Sequence, residues 1–434
     1  MSRIIIIASP GSGHGKTLVT AGLAMALANS GRRLRVYKMG PDYLDPQFIE
    51  AATGLEVRQL DYWMLGEREI ANELHRAQHD VDDIIIEGVM GLFDGEHSVA
   101  RLARDYRIPV CVVADASAMA QTFGALMYGL ANYDPDVNVA AVIANKVGSD
   151  RHADMLRDSI RAPLTMLGSI KRDKTLAVNE RHLGISSENH PIARSAANAM
   201  ASQLSEIAKA LPWGTLRVED NSLNQPDASQ PGGRLSGMRI AVARDQVFSF
   251  IYHANMDFLQ REGATLHFFS PLNDSALPDC DALYLPGGYP ELQLEQLAAN
   301  SSMLSAIRAH IELQKPCLAE CGGMLYLLDS LSHSDQQADL CGIFPLRAKV
   351  NERLAGLGYQ ALPGTQLRGH TFHYASIIDE DQDSTDAARS SYADGRRGEL
   401  ILRHHNTVAS FVHWYFSSSP DTVCDWFSGR QAKA

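Results

Sequence analysis

Residues 4–27 read IIIIASPGSGHGKTLVTAGLAMAL: four isoleucines, a turn rich in glycine, then a long apolar segment. Continuous β-branched residues, rather than alternating ones, mark a strand buried on both faces, as parallel sheets require. Gly11, Ser12, Gly13 and Gly15 are small enough for successive backbone N–H groups to converge on phosphate oxygens. Lys16 brings charge to the terminal phosphates and Thr17 a hydroxyl for Mg²⁺, while His14 lies within the same loop. The helix opening at Lys16 points its N-terminus at the anion, and Gly31 is its expected C-cap. The strict pattern G-x-x-x-x-G-K-[ST] asks for glycine where Pro10 stands. Proline fixes φ and removes a donor, so it is tolerable only at the loop's entry, where it lies. The bland alternative is a glycine-rich strand-to-helix turn with no ligand.

Outward from this stretch the pattern repeats. RIIIIAS, LRVYKMG, DDIIIEGVMG, PVCVVAD and VNVAAVIANKV read as buried strands with helical segments between them. Such alternation predicts an α/β fold with a parallel, doubly wound sheet. From Trp213 to Ser236 the chain turns polar, holds two prolines and ends in a glycine pair, a linker signature. A second α/β series follows, with MRIAVARD, TLHFFSP, ALYLPGG and PCLAECGG as its strand ends. The expected organisation is a first domain over 1–212, a linker over 213–236 and a second domain over 237–434.

The totals agree. At 434 residues the chain exceeds the size at which one core stops growing, so two domains are expected. A net charge of −12 argues against a nucleic-acid partner and means that an anionic substrate needs a local basic pocket. The six cysteines, Cys111, Cys280, Cys317, Cys321, Cys341 and Cys424, are too scattered for a disulfide framework. None forms a C-x-x-C pair, so no zinc site is expected. The first apolar run is too short and wrongly flanked for a signal peptide, and no stretch approaches the roughly 20 apolar residues of a membrane span. A cytoplasmic enzyme with no membrane partner is expected.

Glu87 closes a buried strand beside the phosphate loop, where a Mg²⁺ ligand would stand, and Asp94 follows it. Asp42 and Asp45 follow another strand end. For any one of them the bland alternative is a turn or capping carboxylate; four acids after two strand ends are harder to dismiss. In the second half, Cys321 stands where an apolar strand meets a helix, with Gly322 and Gly323 behind it. Small neighbours permit a strained nucleophile elbow, and a helix N-terminus is expected to lower the thiol pKa. Gly287 and Gly288 end another strand, where N–H groups can stabilise an oxyanion. His413, after a late apolar run, is the candidate base. The other cysteines read as small buried hydrophobes, and His404 and His405 as packed or surface residues.

Together GHGKT, KMGPDYLDP, LDYWML, EGVMGLFDG, NKVGSDRH, ERHLGI, LPGGYPEL, AECGGMLYL and RGHTFHY resemble the cobyrinic acid a,c-diamide synthases. The resemblance runs in order through almost the whole chain apart from the linker. It implies a P-loop, dethiobiotin-synthetase-like domain joined to a class I glutamine amidotransferase domain of flavodoxin-like fold. It implies that glutamine is hydrolysed at Cys321, with His413 as partner and Gly288 and Gly322 at the oxyanion. ATP, held by residues 11–17 with Asn145 and Lys146, then phosphorylates the a and c acetates of cobyrinic or hydrogenobyrinic acid, and ammonia displaces phosphate. Mg²⁺ falls to Thr17, Glu87 and Asp45; Asp42, Tyr43, Asp94, Arg151, His152, Arg181 and His182 fall to the substrate. A homodimer is compatible with all of this. Most class I amidotransferases carry a glutamate two residues after the histidine, whereas Tyr415 stands here, so a Cys321–His413 dyad with modest resting glutaminase activity is expected. Thr371 likewise stands in RGHTFHY where the family usually has glutamate, leaving His370 and His373 for structure or domain contact. The related nickel-sirohydrochlorin a,c-diamide synthase shares the architecture. Cobyric acid synthase fits KMGPDYLDP and LDYWML less well, and a partitioning or maturation ATPase leaves the second domain unexplained.

Overall fold

The computed structural model describes residues 2–173, 190–218, 233–378 and 388–430. The chain divides into two compact units, Met1–Pro226 and Asp227–Ala434.

The first unit is built on seven parallel strands: β1 (Arg3–Ala8), β2 (Leu34–Met39), β3 (Val57–Leu60), β4 (Asp83–Glu87), β5 (Val110–Asp115), β6 (Val139–Val147) and β7 (Thr165–Lys171). Their order is β3-β2-β4-β1-β5-β6-β7, and a two-residue β8 (Gly214–Thr215) pairs antiparallel with the start of β1. The isoleucine run explains why β1 is central. Ile4 and Ile6 enter one core layer beside Ile84 and Ile86, while Ile5 and Ile7 enter the opposite layer beside Ile85. Each fully buried aliphatic side chain contributes about 1.5–3 kcal/mol, so a strand apolar on both faces is stable only between two helical layers. The strands without a continuous apolar run, β3 and β7, occupy the two edges and escape a reading based on such runs.

Helix α1 (Lys16–Asn29) is buried over most of its length and packs on the long helix His190–Ala210. The crossing is close at Gly22, where an added Cβ would fall 2.4 Å from Met200 Cγ. Past the helix end, Gly31 takes φ 81° and its N–H returns to Ala28 O, the C-terminal capping expected of it.

In the second unit β9 (Arg239–Ala243), β10 (Thr265–Phe269), β11 (Ala282–Leu285), β12 (Cys317–Glu320) and a fifth parallel strand, Thr407–Ser410, lie in the order β10-β9-β11-β12-Thr407–Ser410. Counted along the chain that order is second, first, third, fourth, fifth, the flavodoxin-like arrangement. Antiparallel strands continue the sheet, among them Arg397–His404, Arg368–His373 and His413–Tyr415. Leu283 and Leu285 face one core layer, Ala282 and Tyr284 the other. Among the described residues no helix is long and apolar enough to cross a membrane.

Candidate functional site

The phosphate loop runs from the end of β1 to the start of α1. Gly13 and Gly15 take φ values of 81° and 82°, a left-handed region in which a Cβ is strained. The strand ends of β5 and β6 brace the loop from behind. Asn145 Nδ2 donates to His14 O at 2.9 Å, and a Cβ on Gly15 would come within 2.5 Å of that nitrogen. His14 Nδ1 accepts the Asp115 N–H at 2.9 Å, and Lys146 pairs with Asp115 at 2.8 Å while reaching Gly13 O at 3.4 Å. His14, Asn145 and Lys146 are therefore gathered at the loop, with side chains engaged on its backbone and its support. Lys16 Nζ donates to Ser9 Oγ, Met90 O and Gly11 O at 2.6, 2.8 and 3.2 Å, so it lies curled within the loop.

Beside the loop lies a buried cluster. Lys38 Nζ pairs with Asp45, with Asp42 at 3.2 Å and with Glu87 at 3.3 Å, and Thr17 Oγ1 donates to Glu87 Oε1 at 2.8 Å. Lys38 and Glu87 stand opposite each other on neighbouring strands β2 and β4, which explains their meeting. Burial opposes the lysine's charge, but Asp45, Glu87 and Asp42 outweigh it and hold Lys38 well above its usual range. Burial pushes Glu87 up to about 8 despite Lys38. Asp45 is held down to about 2, the Lys38 contact overcoming burial, while burial and then Asp45 push Asp42 up to about 6. Glu87 Oε2 is buried with no hydrogen-bond partner among the described residues. An orphaned carboxylate oxygen next to a threonine hydroxyl is an oxygen-only donor set, which fits Mg²⁺.

Not every candidate joins this cluster. Asp42 Oδ1 also accepts the Leu44 and Asp45 N–H groups at 2.9 and 3.3 Å, opening α2 (Leu44–Thr53), and Tyr43 is buried just ahead of it. Asp94 is exposed and folds back on its own turn, accepting the Gly91 N–H at 2.8 Å; the structure shows it as a turn carboxylate, apart from the other three acids. His152 is tied to backbone at both ring nitrogens, to Met119 O at 2.7 Å and to the Gly148 N–H at 3.2 Å, and the adjacent Arg151 is exposed. Arg181 and His182 lie outside the described residues.

In the second unit Cys321 has φ 45° and ψ −106°, a conformation that L-residues avoid and that nucleophile elbows adopt. Its N–H bonds Ser410 O at 2.7 Å, so the elbow is fixed to the neighbouring strand. The glycines behind it are dictated by space. A Cβ on Gly323 would fall 2.1 Å from Leu285 O, and one on Gly322 would fall 2.8 Å from Gly288 O and 3.0 Å from Gly288 N. A Cβ on Gly287 would lie 2.2 Å from His413 Cε1 and 3.3 Å from Cys321 Cβ, so cysteine, histidine and the glycine loop converge on one point.

The expected lowering of the thiol pKa is not what the structure shows. Burial, joined by the charge of Glu291, pushes Cys321 up. The helix behind it, Gly322–Tyr326, has only five residues, too short a dipole to offset full desolvation. Burial also holds His413 well below its usual range, so both shifts favour a neutral thiol facing a neutral imidazole.

One residue missed by the sequence reading, Glu320, stands at the site, and His370, His373 and Thr371 find their places around it. Glu320, immediately before the cysteine, places Oε2 4.0 Å from His413 Nδ1; its other contacts are the Trp414 N–H at 3.0 Å and the Tyr284 hydroxyl at 2.8 Å. Tyr415 stands two residues beyond the histidine, but the nearby carboxylate comes from β12 instead. His370 stacks on His413 with centroids 5.1 Å apart and meets the Tyr252 hydroxyl at 3.2 Å. His373 bonds Glu399 at 3.1 Å, and Thr371 donates to the same carboxylate at 3.2 Å. Both histidines are thus buried within the second unit. The available signal for Glu320 and Lys38 was a lone charge inside an apolar strand, which must find a buried partner.

A nucleotide loop in one unit and a cysteine elbow facing a histidine in the other define a class: ligases that use glutamine as nitrogen donor. Family comparison agrees, since residues 5–184 match the CobQ/CobB/MinD/ParA nucleotide binding domain and residues 239–421 the CobB/CobQ-like glutamine amidotransferase domain. The chain is 46% identical over 424 residues to the hydrogenobyrinate a,c-diamide synthase of Pseudomonas aeruginosa, covering 96% of each chain. It is 41% identical over 435 residues to the cobyrinate a,c-diamide synthase of Herminiimonas arsenicoxydans, covering 98% of this chain and 97% of the relative. At 33% identity it matches the cobyrinate a,c-diamide synthase of Priestia megaterium over 464 residues, 100% of this chain and 98% of the relative. The chain belongs to the hydrogenobyrinate and cobyrinate a,c-diamide synthase family of glutamine-dependent amidating ligases.

Proposed function

We propose that the chain converts two acetate carboxylates of a corrin polycarboxylate, hydrogenobyrinate or cobyrinate, into amides by way of acyl phosphates. The observation that carries this reading is the pairing in one chain of the braced phosphate loop with the strained Cys321 beside His413. The working division is a synthetase domain over 1–212, a linker over 213–236 that opens with the short strand β8 still paired to β1, and an amidotransferase domain over 237–434.

In the amidotransferase domain His413 takes the thiol proton as Cys321 Sγ attacks the amide carbon of glutamine. The oxyanion meets the N–H groups of Gly288 and Gly322, and the C–N bond breaks with the proton passing to the departing nitrogen. Water then hydrolyses the γ-glutamyl thioester to glutamate and restores the thiol. Glu320 acts as a positioning residue: it lies on the Nδ1 side of His413 and steadies the imidazolium as it forms, the part a carboxylate two residues along the strand usually plays.

In the synthetase domain a substrate carboxylate attacks the γ-phosphorus of ATP, because oxide is too poor a leaving group for direct amidation. Ammonia then adds to the acyl phosphate and phosphate departs. Lys16 and the loop N–H groups bind the phosphates, and Lys38 keeps Asp42, Asp45 and Glu87 from repelling one another. Thr17, Glu87 and Asp45 would hold Mg²⁺, which when bound neutralises charge on the transferring phosphoryl group.

The test is a substrate panel of hydrogenobyrinic acid, cobyrinic acid and nickel-sirohydrochlorin, each with ATP, Mg²⁺ and glutamine, read by mass spectrometry. Two successive mass changes of carboxylate to amide on one of the two corrins are expected. Amidation of nickel-sirohydrochlorin alone, or of none, would overturn the assignment.

A further inference from the structure

Away from both sites, Glu312, His404 and His405 bring one carboxylate and two imidazoles together so that their ligand atoms all lie within 4.8 Å of one another. We propose that this cluster binds a borderline divalent transition-metal ion of the Zn²⁺ type, as a structural clamp at the opposite end of the sheet from Cys321. The inference does not depend on the proposed reaction. The cysteine pattern spoke against zinc, and this donor set uses no cysteine.

Three independent features support it. The first is spacing. His404 Nε2 stands 3.7 Å from Glu312 Oε1, and His405 Nε2 stands 3.9 Å from Glu312 Oε2. These separations are too long for hydrogen bonds. Ligands about 2.0–2.2 Å from one tetrahedral ion sit roughly 3.3–3.6 Å apart. Each imidazole thus stands a few tenths of an ångström beyond that spacing from one carboxylate oxygen, and the set as a whole, within 4.8 Å, closes by side-chain rotation. The exposed carboxylate is free to make that rotation.

The second feature is backbone strain. His404 pairs with Thr407, leaving His405 and Asn406 as a two-residue hairpin turn. His405 is its first central residue and takes φ 49°, a position where glycine is the default. Adjacent strand residues normally point to opposite faces. Here the turn brings the two rings to a centroid separation of 4.2 Å. A histidine kept where glycine costs less is held for its ring.

The third feature is the helix. Glu312 is the last residue of Ser301–Glu312, at the end where backbone carbonyls accumulate partial negative charge. An acid is unfavourable there, and a bound cation reverses the sign. The imidazole–carboxylate set, with room for water in the remaining positions, suits Zn²⁺ rather than a hard ion such as Mg²⁺. The clamp would join the end of that helix to the start of β12 and of Thr407–Ser410, where Asn406 already bonds Gln314 O at 2.6 Å and the Cys317 N–H at 3.1 Å. Those two strands lead toward Cys321 and His413.

The experiment is calorimetric titration of the chelator-treated full chain with Zn²⁺, alongside His405→Gly and Glu312→Gln. Glycine relieves the turn strain, so His405→Gly should raise the melting temperature of the metal-free protein while losing one equivalent of bound Zn²⁺. Glu312→Gln should lose the same equivalent, and in both variants the melting temperature should no longer rise with Zn²⁺. Glutamine-dependent amidation by the Zn²⁺-free protein, assayed with ATP and Mg²⁺, should be unchanged in both variants, which separates this ion from one captured by Cys321. Equal Zn²⁺ stoichiometry and affinity in wild type and both variants would overturn the proposal.

Discussion

At the scale of single residues, the neutrality of Cys321 and His413 has a measurable consequence. A catalytic cysteine stored as thiolate alkylates quickly at neutral pH, whereas a thiol pushed up by burial does not. Iodoacetamide labelling of Cys321 should therefore be slow at pH 7 and still rising above pH 8.5, the value for a free thiol. A plateau reached below pH 7 would mean a thiolate–imidazolium pair. The position of Glu320 gives a second prediction. Burial pushes Glu320 up to about 8, and its carboxyl group stands 4.0 Å from His413 Nδ1, so Glu320→Gln removes its capacity to take up charge as the imidazolium forms while leaving a side chain of equal size. The glutaminase kcat should fall about tenfold or more, up to the roughly 10²–10⁴ that general acid–base catalysis supplies, with KM nearly unchanged. Ammonia-dependent amidation should persist. A rise in KM at constant kcat would instead mean that Glu320 shapes the glutamine pocket. Cys321 was legible because its Gly-Gly neighbours have a geometric cause. Glu320 was not, because its role depends on β12 lying beside the segment that carries Trp414, a pairing that no local pattern encodes.

At the scale of elements, what the sequence discloses follows burial. Strands apolar on both faces, such as β1 and β4, declare themselves by composition. The edge strands β3 and β7, each needing only partial cover, do not. The same reasoning applies to turns. The elbow after β12 was readable from AECGG, and the structure supplies the reason: a Cβ on Gly323 would lie 2.1 Å from Leu285 O and 2.6 Å from Leu285 C. Backbone atoms of a buried strand cannot yield as a side-chain tip can. Gly323→Ala should therefore displace the elbow at a cost of about 1–3 kcal/mol, the usual range for overpacking. Glutamine-dependent turnover should be lost, and amidation with ammonium salts retained. Retention of full glutaminase activity would show that the elbow is not held by this contact. The carboxylate cluster is the contrary case: KMGPDYLDP disclosed Asp42 and Asp45, but not that Lys38, the first residue of the same stretch, would pair with both acids and with Glu87.

At the scale of the whole molecule, the two units carry separable halves of one reaction, and their failures should be complementary. The order of the motifs along the chain made this division readable, because each half is an α/β series with its own glycine loop and its own reactive residue. Cys321→Ala removes the proposed nucleophile alone: amidation from glutamine should vanish, while high concentrations of ammonium salt still support it. Lys16→Ala removes a charge that lies 2.6 Å from Ser9 Oγ at the base of the phosphate loop. If the proposed acyl phosphate is the activated form, amidation should fail from either nitrogen source while Cys321 still cleaves glutamine. The pair of variants is decisive because each controls for the other's folding: each keeps the partial reaction that its partner loses. If Cys321→Ala were not rescued by ammonia although its ATP site is intact, nitrogen transfer would require the thiol itself. If Lys16→Ala still amidated a corrin, activation by phosphorylation would be the wrong chemistry, and the carboxylate would have to be activated by some other group.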